Sequence, residues 1–253
     1  MAIKVGDKKE SEVSEQSRFD FRIRSAAEFV ELVGGETDCA TMTLFDGREA
    51  WLAGRKGHIG ASSAWKIYDP EGRKRLFQEL RDEAEPEDLS GVEMVQRGVA
   101  GEPLIRALFA VENPDWDFYD GSNLLFVSKR KPFMSASLDC IAVHRQTGEV
   151  ADLEIKEAPW SNKWKGDYAP DGYFAQLCHQ SFVTGITRCA LHPRIYLRHD
   201  DGFTTAFERS YEYDMTDPEV APQVEKLVED EQQFWNEFKS GKYSPKLNLA
   251  SIF

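Results

Sequence analysis

The sequence predicts an α/β fold, a central mixed β-sheet flanked by helices on both faces, and three observations carry that expectation. Residues 137–145 (SLDCIAVHR) and 150–156 (VADLEIK) are apolar and β-type, and they flank the turn-like Gln146-Thr147-Gly148-Glu149, which together read as a hairpin. Helical patterns precede that hairpin, at Leu104, Ile105, Leu108 and Phe109, and follow it, at Tyr173, Leu177 and Phe182. Residues 187–213 then carry strand-like runs around Asp200-Asp201-Gly202, a second hairpin signal.

The elements follow in order. Residues 1–17 are polar and charged and are expected to be mobile or loosely docked, leaving residues 18–253 as a single domain. Residues 19–33 alternate charged and apolar groups in a way that suits a short strand and a helix, ended by Gly34-Gly35. Arg55-Lys56-Gly57-His58-Ile59-Gly60-Ala61-Ser62 is a glycine-punctuated basic stretch, and Ser62 reads as the N-cap of a helix through Ala64, Trp65 and Lys66. Exposed amides, a hydroxyl and an arginine make a natural phosphate pocket, although an ordinary loop into a capped helix has the same residues. Residues 81–88 are turn-rich and acidic and read as a connector. Glu102 is placed at a helix start, where the dipole favours a carboxylate. Gln176 and Gln180 are four apart and form a polar stripe on a helix. Val220, Val224, Leu227, Val228, Phe234, Trp235 and Phe238 recur at helical spacing, so a long amphipathic helix closes the fold, its aromatic stripe assigned to core or subunit contact.

The first hairpin also carries chemistry. Counting back from a turn near Thr147 puts Asp139 opposite residue 155, give or take one. Side chains alternate along a strand, so Glu154 and Lys156 share a face and Asp139 lies within reach of both. Two acidic oxygens with a backbone carbonyl, such as that of Ile155, make a hard, incomplete oxygen site of the kind Mg²⁺ favours. A lysine beside such an ion can hold an attacking water and favour its deprotonated form, which suits phosphodiester hydrolysis. A salt-bridged surface hairpin would show the same residues, so the rest of the chain has to decide.

Taken in order, R-x-G-x-I-x-A-S from Arg55, R-G-x(3)-E from Arg97, S-x-D from Ser137, E-x-K from Glu154 and Y-x-A-Q-x(7)-T from Tyr173 resemble the phage lambda exonuclease family, the YqaJ-like viral recombinase nucleases of the PD-(D/E)XK superfamily. The resemblance covers residues 55–200, and the first forty residues look particular to this protein. It implies a restriction-endonuclease-like core and an exonuclease that degrades one strand of duplex DNA from a 5′ end, leaving a 3′ single strand for recombination. Asp139, Glu154 and the Ile155 carbonyl would hold Mg²⁺, or Mn²⁺ in its place. Lys156 would activate the water, with Glu102 and Gln176 completing the site. Arg55, Ser62 and Ser137 would hold the 5′-phosphate. Two positions depart from the family pattern: a second glutamine is replaced by Cys178, and the proline before the aspartate is Leu138. Double-stranded DNA ends are the implied substrate, a trimeric ring the implied assembly and a single-strand annealing protein a candidate partner. A site-specific endonuclease of the same superfamily and a non-catalytic DNA-end-binding scaffold are the alternatives.

Composition limits the choice. With 41% hydrophobic and 12% aromatic residues, the 253-residue chain can bury a substantial core. Lys and Arg number 31 against 44 Asp and Glu, a net charge of −13 that argues against general affinity for nucleic acid. A DNA enzyme then needs a local basic lining, for which Arg55, Lys56, Lys129, Arg130, Lys131, Lys163 and Lys165 are candidates. Cys39, Cys140, Cys178 and Cys189 are scattered without C-x-x-C spacing, against zinc or an iron–sulfur cluster of the Cas4-like branch. Free thiols, no apolar leader and no membrane-length apolar run predict a cytoplasmic protein, in a bacterial or phage-infected cell.

Overall fold

A computed structural model of the chain describes residues 23–81, 91–200 and 202–243. The expectations for residues 1–17 and for most of the acidic connector, from residue 82 onward, lie outside the described residues. The expected hairpin is the middle of a seven-stranded mixed sheet. Strands β7 (Cys140–His144) and β8 (Val150–Pro159) pair antiparallel from Cys140↔Leu153 to Val143↔Val150, and Gly148 takes the positive φ (68°) that the turn needs. On one side β4 (Trp116–Asp120) runs antiparallel to β7, with the short β1 (Ile23–Arg24) parallel beyond it. On the other, β9 (Arg188–His199) runs parallel to β8, and β10 (Gly202–Glu208) and β11 (Tyr211–Asp214) are antiparallel to β9. The pairing Gly202↔His199 is the second hairpin that the sequence indicated.

Helices cover both faces, as expected. On one, α4 (Glu93–Glu112) sets Ile105 and Phe109 against Phe118, Cys140, Ala142, Leu153 and Ile155. On the other, α5 (Asp171–Thr184) buries Phe174, Leu177, Cys178 and Val183 with Ile141, Val150, Leu191 and Ile195. Because β8 is covered twice, its residues from Val150 to Ile155 are all buried, polar or not. Helix α6 (Ala221–Ser240) closes over α5; its Phe234 belongs to the core and the half-buried Trp235 and Phe238 pack against it, Trp235 stacking on Phe133 at 4.9 Å. The N-terminal helix α1 (Ala26–Val33) carries a Ser25/Glu28 capping box and ends at Gly34 (φ 79°).

Three features differ from the sequence reading. A second sheet of four short strands, β2 (Ala40–Leu44), β5 (Leu124–Ser128), β6 (Met134–Ala136) and β3 (Ile59–Gly60), lies beside the main one. Its strands are two to five residues long, too short for a period-2 pattern to register. Ser62 is not an N-cap: the chain leaves β3 directly into a 3-10 helix, Ala61–Tyr68, capped by Gly60 without a side-chain bond. Glu102 is not at a helix start, because α4 begins nine residues earlier and runs through Gly98, Gly101 and Pro103. Pro103 leaves the carbonyl at Val99 without its helical donor, and Val99 is 64% exposed, so water can take that place.

Candidate active site

The site lies on the α5 face of β7 and β8. Asp139 immediately precedes β7, and continuing the register places it across from Glu154, one residue from the expected position. Its Oδ2 accepts the Ile155 N–H at 2.9 Å and faces the Lys156 ammonium at 3.3 Å. The connection that holds Asp139 is fixed by close contact: a Cβ on Gly121 would collide with the Leu138 carbonyl, and the Gly121 N–H donates to the Asp139 carbonyl at 3.3 Å.

Glu154 is almost fully buried and is held from three directions. Gln176 Nε2 donates to Oε1 and Gln180 Nε2 to Oε2, each at 2.6 Å, and Lys156 pairs with Oε1. Gln180 also reaches the Ser137 carbonyl at 3.4 Å. Burial, then the charge of Asp139, push the Glu154 carboxyl up to about 7. For Lys156 burial acts downward, but the two carboxylates outweigh it and its pKa is raised. Asp152, two residues before Glu154, is also buried, neither of its oxygens has a hydrogen-bond partner among the described residues, and burial raises its carboxyl well above the usual range. Glu102 approaches from the α4 side, where Arg106 holds it at 2.5 Å and bonds Asp120 at 2.8 Å. Burial and Asp139 raise the Glu102 carboxyl against the opposing pull of Arg106.

The residues expected at a phosphate are joined by one that the sequence reading passed over. Helix α2 (Arg48–Arg55) presents Trp51, whose ring lies 4.4 Å from the Arg55 guanidinium carbon and whose Nε1 donates to Ser137 Oγ at 3.0 Å. Strand β3 pairs parallel with β6 (Gly60↔Ser135), bringing residues 55–62 beside the strand that leads to Ser137. Ser62 is exposed within the 3-10 helix. Lys129, Arg130 and Lys131 are not brought to this cluster. Lys129 bonds Glu36 and the Thr37 carbonyl, Arg130 the Phe182 carbonyl, and Lys131 the Gln232 amide oxygen. Lys163 and Lys165 are exposed beyond the end of β8, over the rings of Tyr173 and Trp160 respectively.

Three contributors to the site are not identified by the sequence motifs: Gln180, Arg106 and Trp51. The Gln176/Gln180 spacing was the visible signal for the first. Trp51 precedes Arg55 by four residues, a relation that has meaning only once α2 is known to be a helix.

The donor set fits a hard divalent cation. Among the described residues no group of three or more His, Cys, Asp or Glu side chains is arranged to hold a metal. Two carboxylates and the Ile155 carbonyl are nevertheless what an incompletely coordinated Mg²⁺ takes, the remainder coming from water and phosphate. The Lys156 ammonium, lying between Asp139 and Glu154, marks the gap as a place for positive charge.

A model of the YqaJ-like viral recombinase domain matches residues 50–187, a span that includes Arg55, Glu102, Asp139, Glu154, Lys156 and Gln176. No curated protein matches the chain. Among solved structures, an alkaline exonuclease (LHK-Exo) from Laribacter hongkongensis is similar with a TM-score of 0.54 and 20% identity, over 77% of this chain and 94% of that one. LHK-Exo in complex with dAMP gives a TM-score of 0.53 at 20% identity, over 76% and 95%. That likeness is one of fold.

Proposed function

The chain belongs to the YqaJ-like viral recombinase domain family, and on that premise we propose that it is a Mg²⁺-dependent exonuclease acting on the ends of linear duplex DNA. The observation that carries the reading is the Asp139–Glu154–Lys156 cluster, with both Glu154 oxygens held by glutamine amides. A carboxylate anchored in this way keeps its lone pairs aimed at one place, the preorganisation that metal-assisted hydrolysis needs.

Asp139, Glu154 and the Ile155 carbonyl would hold a divalent cation, which would supply Lewis acidity and offset charge on the scissile phosphate. The chain's own groups do the rest. Lys156, kept cationic by its two carboxylates, donates an N–H to the oxygen of the attacking water and adds positive charge beside the phosphate. Gln176 and Gln180 fix Glu154, and Arg106 fixes Glu102 at the edge of the site. Arg55 and Ser137, linked through Trp51, bind the terminal phosphate, with Ser62 nearby on the chain that follows β3. The bound dAMP of LHK-Exo is a nucleoside monophosphate, the product class that stepwise removal of nucleotides would release. On this reading the enzyme moves 5′ to 3′, leaves 3′ single strands for a recombination annealing protein, encircles DNA as a trimer and works in the cytoplasm. No described helix is long and apolar enough to cross a membrane.

Digestion of linear duplex DNA labelled at either strand terminus, with Mg²⁺ or EDTA and beside a closed circle, tests this. Metal-dependent loss from 5′ ends with the circle intact is expected; cleavage of the circle would favour an endonuclease, and binding without cleavage an end-binding scaffold. Asp139→Ala and Lys156→Ala should each lower turnover by about a thousandfold with the fold retained by circular dichroism. Near wild-type rates in either variant would remove these residues from the mechanism.

A further inference from the structure

Helix α2 holds two arginines against one indole. Arg48, Trp51 and Arg55 are spaced three and four residues apart, which puts them on one helix face. The guanidinium carbons of Arg48 and Arg55 lie 5.7 and 4.4 Å from the Trp51 ring centroid. Among the described residues neither arginine pairs with a carboxylate, although Asp46 and Glu49 lie within two positions of Arg48. Two neighbouring cations without a counter-ion, in a chain of net charge −13, repel one another. That repulsion registers at Arg55, where burial and the charge of Arg48 both lower the pKa. The whole group is tied to the site, because Trp51 bonds Ser137 two residues before Asp139.

Stacking on an indole uses the face of a guanidinium and leaves its rim of N–H donors free for phosphate oxygens. A terminal phosphate on Arg55 would offset one of the two charges and leave the other for the next anion along the strand. We propose that Arg48 is a second anion-binding residue of this site, taking the backbone phosphate next to the terminal one, with Trp51 as the wall that spaces the two guanidinium groups. The inference rests on the exonuclease reading and adds to it a contact made with every DNA end, phosphorylated or not.

The test is equilibrium binding of fluorescent blunt-ended duplexes, bearing a 5′-phosphate or a 5′-hydroxyl, in EDTA at several salt concentrations. Arg48→Gln should weaken binding by about tenfold on both ends and reduce the slope of log Kd against log salt by about one. Arg55→Gln should lose affinity mainly for the phosphorylated end. Arg48→Lys, which keeps the charge without the planar fork, should retain the salt slope at lower affinity. An Arg48→Gln protein with wild-type affinity and slope overturns the proposal, as does a loss confined to phosphorylated ends or a lysine variant with the slope of the glutamine one. A wild-type protein that binds no DNA would remove the exonuclease reading as well, whereas binding unaffected by Arg48→Gln would remove this inference alone.

Discussion

Glu154 concentrates the electrostatics of the site in a single carboxyl. Lifted from 4.5 to about 7, it retains in the folded, metal-free protein a proton that the unfolded chain releases between those values. Its contribution to stability is therefore full below 4.5 and is lost as the pH rises through about 7. Glu154→Gln cannot titrate, so in EDTA the unfolding free energy of wild type minus that of the variant should fall across this window and then level. Asp152 adds a slope of its own, raised first by burial, and the subtraction removes that part because the variant keeps Asp152 buried. A difference that stays constant with pH would contradict the raised carboxyl. Mg²⁺ needs the ionised form, so its binding should release up to about one proton near pH 6 and almost none near pH 8.5, measurable by calorimetry in buffers of different ionisation enthalpy.

Between elements, the site depends on one close backbone approach that only glycine permits. Gly121, at the end of β4, lies against the Leu138 carbonyl, and backbone cannot yield as a flexible side chain would. Gly121→Ala should therefore destabilise the protein by about 1–3 kcal/mol and displace the Asp139 connection, lowering turnover more than DNA affinity. Urea midpoints together with kcat and Kd check this; unchanged turnover would mean that the connection adjusts without moving the carboxylate. Gly101 of α4 is a milder case, because a Cβ there would strike only the carboxylate end of the Glu157 side chain. Gly101 thus sits against β8 in the middle of α4, whereas a Cβ on Gly98 would meet open space.

Across the molecule, His179 links α5 to α6 and to β6 of the second sheet. Its Nε2–H donates to the Ser135 carbonyl at 3.0 Å, since a carbonyl only accepts, and its Nδ1 lies 2.9 Å from Glu231, both side chains being fully buried. The next residue, Gln180, holds Glu154, so this connection sets α5 against the strand that leads to Ser137 and Asp139. His179→Ala leaves the Glu231 carboxyl buried without its partner and should cost about 3–5 kcal/mol in urea unfolding. The double variant His179→Leu/Glu231→Leu should recover a large part of that loss. A double variant no more stable than His179→Ala would mean that packing, not the abandoned carboxyl, is responsible.

Local sequence pattern suffices for the central hairpin, the face shared by Glu154 and Lys156, the second hairpin at Gly202 and the amphipathic closing helix. These depend on alternation, turn residues and helical spacing, all of which operate over a few neighbouring residues. It also indicated the Gln176/Gln180 stripe, while leaving open what the stripe faces. Other features arise only when distant segments pack together. The second sheet is assembled from pieces of two to five residues drawn from distant parts of the chain. Trp51 meets Ser137 across 86 positions, and His179 meets Glu231 across 52. Lys129, Arg130 and Lys131 read as a basic cluster in sequence, yet each turns to an acceptor of its own fold. Such contacts depend on where two segments end up in space, and short-range periodicity holds no record of that.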